Sequence, residues 1–335
     1  MIVIIPDTNV IVASSIKAHY EGTYKLNIPH KFHDESSQLF DIIKDKEYPK
    51  VKGILLEKVK SECLGALTNA VRGSCEYKVV EDVVMQAMKT IIEKLEENKK
   101  KNEKEIKVLK AVCSEIPNTI KWLRKELSDK KLMNLEKAVE NTWKNAMRKV
   151  MYDKCTIVTN SSKLNNLWWK IDEEATKWKN DKLNELCDDR TEKIRTPCVK
   201  VMISLFKVLE TPKLDYNKVC SSLELVNECF DELITKNKNS KQVIAHIKSE
   251  KGGHSHKPDK RILAQADTYK RLVDDPESKD YIPNCEIYIA SNDRKFFSPY
   301  RGDSTITDAI RTKFKIICDS PKEIVGIVKK SKDNT

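Results

Sequence analysis

The chain has 335 residues, 39% of them hydrophobic and 34% charged, which suffices for a buried core and for two domains or one domain with a large insertion. No apolar run reaches the roughly 18–20 residues that cross a bilayer, and no basic segment precedes the apolar run of MIVIIPDTN, so neither a membrane span nor a signal peptide is expected, and a cytoplasmic location is. A net charge of +11 suits an anionic partner such as nucleic acid, although net charge bears on association and not on fold.

Residues 2–5 (IVII) form a short apolar run bounded by Pro6, the pattern of a buried parallel strand. A second short run, Ile54-Leu55-Leu56, precedes a helix that carries Glu62. Glycine then changes the reading. None occurs between Gly73 and Gly252, and glycine belongs to turns and helix ends, so this stretch reads as helical. Apolar pairs at three- and four-residue intervals (Val83-Val84, Ala87-Met88, Ile91-Ile92, Leu95) agree with that. The Lys/Glu-rich segment 93–110 is expected to be an exposed arm or a solvated helix connection. A β-like run at Cys155–Thr159 interrupts the pattern, and Pro197 and Pro212 are expected to break it later.

Beyond Gly252 the alternation returns. Helical patterns at 259–272, 307–313 and 321–328 separate the apolar runs 285–290 and 314–318. Strands alternating with helices predict an α/β domain with a parallel sheet. The expected organisation is a domain made from 1–72 plus 252–335, interrupted by an all-α insertion over 73–251. The ten cysteines are scattered without a CxxC pair, so they read as small buried hydrophobes and not as a zinc or disulfide framework.

Asp7 directly follows the first strand and Asp293 follows the strand IYIA, and ligands of open parallel sheets sit beyond such carboxyl ends. Taken singly, each acid has a plain structural explanation. Asp7 and Asp293 suit turns, Asp259 suits a helix N-cap, and Glu62 suits a solvated helix face. Together, and in this order, they resemble the PIN-domain nuclease family. The carriers are Asp7-Thr8-Asn9 after strand one, KGILLEKVKSECLGAL with Glu62, Asp259-Lys260-Arg261-Ile262-Leu263-Ala264, and Ser291-Asn292-Asp293-Arg294-Lys295-Phe296. The closing FKIICDSPKEIV is similar to the family's C-terminus.

The resemblance implies a PIN-like three-layer α/β/α domain that hydrolyses RNA with Mg²⁺ or Mn²⁺. Asp7, Glu62, Asp259 and Asp293 would be the metal ligands and the catalytic acids. Asn9 and Ser291 would orient a carboxylate or a water, and Arg261, Arg294 and Lys295 would contact substrate phosphates. An all-carboxylate site suits hard divalent cations. Three histidines upstream of Asp259 (His246, His254, His256) offer a further metal reading beside their plain one as loop residues. Two alternatives remain open: a structure-specific flap-type DNA nuclease, and a catalytically silent PIN-like module that binds nucleic acid or protein.

All five tryptophans (Trp122, Trp143, Trp168, Trp169, Trp178) fall in the helical stretch. At helical spacing they are expected to fill a core, but Trp168 and Trp169 are adjacent, so one should face outward, where it can stack on a base. Basic charge is shared between insertion and remainder, so the insertion is not a polycationic tail. Lys99–Lys101 and Arg148-Lys149 are candidate phosphate contacts or simply a solvated face.

Overall fold

A computed structural model describes residues 1–17, 30–127, 132, 134–153, 161–237, 257–292 and 305–333. It resolves into two compact units. The first comprises Met1–Thr23, Ile28–Leu67 and Thr196–Thr335, and the second Tyr24–Asn27 and Thr68–Arg195. Most described residues are helical, and they include one small parallel sheet, an α/β architecture.

In the first unit the strands are β1 (Ile2–Pro6), β2 (Val51–Gly53), β3 (Glu286–Ala290) and β4 (Ile316–Asp319), in the spatial order β2-β1-β3-β4. Every pairing is parallel, with Ile2 opposite both Val51 and Glu286, and Ile287 opposite Ile316. Val3, Ile4, Ile5, Ile287, Ile289 and Ile316 are fully buried. Successive residues of one strand point to opposite faces, so a continuous buried run means that both faces of the sheet are covered.

The cover comes from two groups of helices. Helix α2 (His30–Lys44) packs against α1 (Thr8–Lys17), and α11 (Pro321–Asp333) packs against α2. Helix α8 (Tyr216–Lys236) packs against α9 (Lys257–Asp274) and α10 (Thr305–Phe314). The right-handed crossover rule places these groups on opposite faces. The path from β1 to β2 moves one way along the sheet, and the paths to β3 and β4 move the other way. The strand order therefore reverses between β1 and β3, where open α/β sheets bind their ligands.

Helix α8 is fixed to α9 by a buried polar cluster. Ser222 Oγ donates to Asp267 Oδ2 at 2.8 Å, and Thr268 Oγ1 reaches Ser222 Oγ at 3.1 Å. The unit that carries the sheet thus takes in residues from Thr196 onward, whereas glycine spacing alone divides the chain at 252.

The second unit is helical. Helix α3 (Glu57–Glu96) and α7 (Asn180–Phe206) each contain a boundary between the units. Between them lie α4 (Lys99–Glu126), α5 (Leu135–Asp153) and α6 (Ser161–Ala175), with α4 packed on α5. The Lys/Glu-rich segment 93–110 is the tight junction of α3 and α4 and not a free arm, because Ile106, Val108 and Leu109 are buried. Pro197 does not end a helix as expected; it lies inside α7. The run Cys155–Thr159 falls outside the described residues. Trp143 is fully buried and meets Trp168 edge-on at 4.9 Å between ring centroids, whereas Trp169 is 69% exposed, as adjacency requires.

Candidate active site

Asp7 is the first residue beyond β1, and its backbone N–H donates to Ala290 O at 2.9 Å. The parallel register pairs Pro6 with Ala290, so Asp7 and Ser291 emerge side by side at the carboxyl edge of the sheet. The backbone of Asp7 also begins α1, accepting from the N–H groups of Val10 and Ile11. Its side chain is 5% exposed, and a carboxylate so buried needs donors. Thr8 N–H reaches Oδ1 at 2.6 Å, and Asn9 Nδ2 and Ser291 Oγ reach Oδ2 at 2.9 and 2.8 Å. Asn9 ties the two strand ends a second time, since its Oδ1 accepts from Asn292 N–H at 2.9 Å.

Glu62 joins from the second turn of α3. The Thr8 hydroxyl donates to Glu62 Oε2 at 3.2 Å, and Lys58 Nζ pairs with Oε1 at 2.7 Å. The field around these acids is registered by two thiols. Burial first, then the charges of Asp7 and Glu62, push the Cys63 thiol far above its ordinary value. Burial, then Asp319 and Asp7, do the same to Cys318.

Asp259 is the third residue of α9, in its first turn and not at its cap. Topology places it at the same edge of the sheet. At its other end α9 meets the approach to β3, where Ile282 N–H donates to Val273 O and Lys270 Nζ to Cys285 O. Running back from there, α9 brings its N-terminus toward the carboxyl ends of the strands. Near its middle, Gln265 Oε1 accepts from Lys58 N–H at 3.1 Å, which draws the start of α3 to α9. Arg261, two residues beyond Asp259, is exposed.

The expected residues Asp7, Asn9, Glu62 and Ser291 are therefore brought together, and Asp259 shares their edge. Asp293, Arg294 and Lys295 lie outside the described residues, as do His246, His254 and His256. Among the described residues no group of three or more His, Cys, Asp or Glu side chains is gathered closely enough to hold a metal ion.

Three participants carried no site signal in the sequence. Ser36, buried on α2, accepts from Asn292 Nδ2 at 2.9 Å. Asn292 is 9% exposed, and its buried Oδ1 has no hydrogen-bond partner among the described residues. Exchanging its amide atoms would only transfer the vacancy to nitrogen, since Ser36 satisfies one of them. Asp319, the last residue of β4, is a further acid at this edge, and its backbone carbonyl accepts from Ser291 N–H at 3.0 Å. Burial raises its carboxyl above the ordinary range and Glu323 adds to the rise, against the opposing Ser320 N–H bond.

No family model, no curated protein and no solved structure matches the chain.

Proposed function

We propose that the chain is a PIN-like, metal-dependent ribonuclease that hydrolyses RNA phosphodiester bonds at the carboxyl edge of its sheet. One observation carries this reading: Ser291 donates to Asp7 at 2.8 Å across 284 positions of sequence, at the point where strand order reverses. The motifs that resemble the family were matched by order alone, and the first and last meet where a ligand of such a sheet would bind.

Asp7, Glu62, Asp259 and Asp293 would hold Mg²⁺ or Mn²⁺. Their donors are all carboxylate oxygens, the chemistry such ions prefer. The ion, when bound, supplies a water of lowered pKa and offsets charge on the phosphoryl oxygens.

The chain's own groups do the positioning. Asn9 and Ser291 fix the plane of the Asp7 carboxylate, and the Thr8 hydroxyl holds Glu62 toward it. Arg261 is exposed in the first turns of α9, within reach of a backbone phosphate arriving at this edge. Exposed Trp122 and Trp169 in the helical unit are candidates for stacking on unpaired bases.

The test is cleavage of labelled single-stranded RNA and of a DNA flap, with Mn²⁺ or EDTA, by wild type and Asp7→Asn. Wild type should cut RNA only with Mn²⁺, and Asp7→Asn should lower the rate about 100-fold or more. Faster cutting of the flap would move the substrate to DNA. Binding of both nucleic acids without cutting either would end the enzyme reading.

A further inference from the structure

A cavity of about 690 Å³ opens at the amino edge of the sheet, away from the acids, and all of its walls belong to the first unit. Its position follows from its lining. Met1 precedes β1, Val51 opens β2 and Ile282 leads toward β3. Its size falls within the roughly 300–1,000 Å³ of small-molecule sites.

One wall is the segment that follows α7, drawn onto β2 by a pair of backbone hydrogen bonds. Glu210 N–H donates to Gly53 O at 2.9 Å, and Leu55 N–H donates to Glu210 O at 2.9 Å. Gly53 leaves room at this junction for the side chains of Leu209 and Ile43, which would have to shift for any larger residue. A Cβ on Gly53 would lie 2.5 Å from Leu209 Cδ2 and 2.7 Å from Ile43 Cγ2.

The polar groups of the lining do not cancel. Lys52 and Glu210 neutralise each other at 2.6 Å. Lys213, Lys279 and Asp280 also line the cavity, and no ion pair is found for them among the described residues. Tyr269 is 3% exposed and faces the same space, with no hydrogen bond to its hydroxyl among the described residues. Burial, foremost, pushes that phenol above its ordinary value, so at neutral pH it is a donor. A phenol hydroxyl that opens on the cavity, with no partner among the described residues, is a donor within reach of a ligand there.

From these groups we infer that the cavity binds a phosphomonoester on a hydroxylated body, of the size of a sugar phosphate or a mononucleotide. A phosphomonoester carries about −1.5 to −2 charge near pH 7, which the two lysines offset in part against the charge of Asp280. Tyr269 donates a further hydrogen bond to the ligand. Asp280 and Thr211 at the rim exchange hydrogen bonds with its hydroxyls, and Ile43, Val208 and Pro212 contact its carbon skeleton.

The proposal is tested by calorimetric titration of the full chain with adenosine 5′-monophosphate, ribose 5-phosphate, adenosine and inorganic phosphate. At least one phosphomonoester should bind at about millimolar affinity or tighter, and about tenfold or more above adenosine and inorganic phosphate. The double variant Lys213→Gln/Lys279→Gln changes only exposed side chains, so it should keep its fold and lose about tenfold in affinity. Tyr269→Phe should weaken binding less, and Asp7→Asn should leave it unchanged. Absence of binding by both phosphomonoesters, equal binding of adenosine, equal binding of inorganic phosphate, or full affinity in the double variant would each overturn the proposal. Loss of binding in Asp7→Asn would overturn it too, by moving the ligand to the carboxyl edge.

Discussion

Asp7, in the unit that carries the sheet, and Glu76, in the helical unit, are 5% and 1% exposed, and the two units meet these buried charges differently. Glu76 faces a cation and a backbone donor: Arg72 Nε stands 3.4 Å from Oε1, and Leu132 N–H reaches Oε2 at 2.8 Å. Arg72 is itself held by Asp188 and Asn184, so the carboxylate joins α3, α7 and the approach to α5. The hydrogen bonds described for Asp7 come from neutral donors, a backbone N–H, an amide and a hydroxyl, two of them from residues beside the strand ends. A cation partner inside a bundle offsets charge and stabilises a packing arrangement. At Asp7, donors from three neighbouring residues orient the carboxylate at the edge where the proposed chemistry lies. Substitution tests whether the two acids differ in role.

The largest expected effect is on activity. Asp7→Asn should reduce RNA cleavage about 100-fold or more and cost about 1–2 kcal/mol of stability, since an amide oxygen still accepts from Thr8 N–H but the amide nitrogen cannot accept from Asn9 Nδ2. The mirror experiment is Glu76→Ala, which removes the acceptor of Leu132 N–H and one partner of Arg72. It should cost about 3 kcal/mol of unfolding free energy, while the specific activity of the folded fraction is unchanged. The reverse pattern, a large loss of stability at Asp7 and of activity at Glu76, would dissolve the distinction.

A smaller effect sharpens the comparison within the first unit. Ser222→Ala removes the hydroxyl that donates to buried Asp267 and meets Thr268. Because Arg271 still pairs with Asp267 at 3.0 Å, the loss should be about 1–2 kcal/mol by urea denaturation, with cleavage intact. A cost near zero would mean that α8 is seated on α9 by apolar contact alone.

Much of the first unit was legible because parallel strands buried on both faces leave plain runs. Ile2–Ile5, Cys285–Ala290 and the stretch ending at Cys318 mark β1, β3 and β4 to within a few residues. Strand β2 was not legible, since it is three residues long with a lysine at its centre, and the apolar run Ile54–Leu56 lies just beyond it. The seat of α8 could not be read either, because Ser222 and Asp267 are 45 positions apart and neither has a local pattern. The expectation of a break at Pro197 failed for a related reason. A proline inside a helix costs a hydrogen bond, yet packing along 27 residues of α7 outweighs that local loss. At the site, Asp7, Asn9 and Ser291 were legible from motif order. Ser36 was not, for it meets Asn292 across 256 positions and only the folded chain brings them together.

The smallest predicted effect concerns Asp319, an acid of this edge whose carboxyl is raised by its surroundings. An acid whose folded pKa lies above its unfolded value holds its proton more firmly when folded. Between the two values the native state binds more protons, so stability falls as pH rises through that window and is regained on acidification. The window begins at the ordinary carboxylate value and extends upward from it. Asp319→Asn keeps an oxygen for the Ser320 N–H and removes the charge that burial and Glu323 disfavour. The variant should therefore be slightly more stable than wild type at neutral pH, and the gain should shrink as pH is lowered through the window. Urea melts at several pH values would read this directly. A gain that grew on acidification would mean that the native fold favours the Asp319 carboxylate, against the burial that packing imposes on it here.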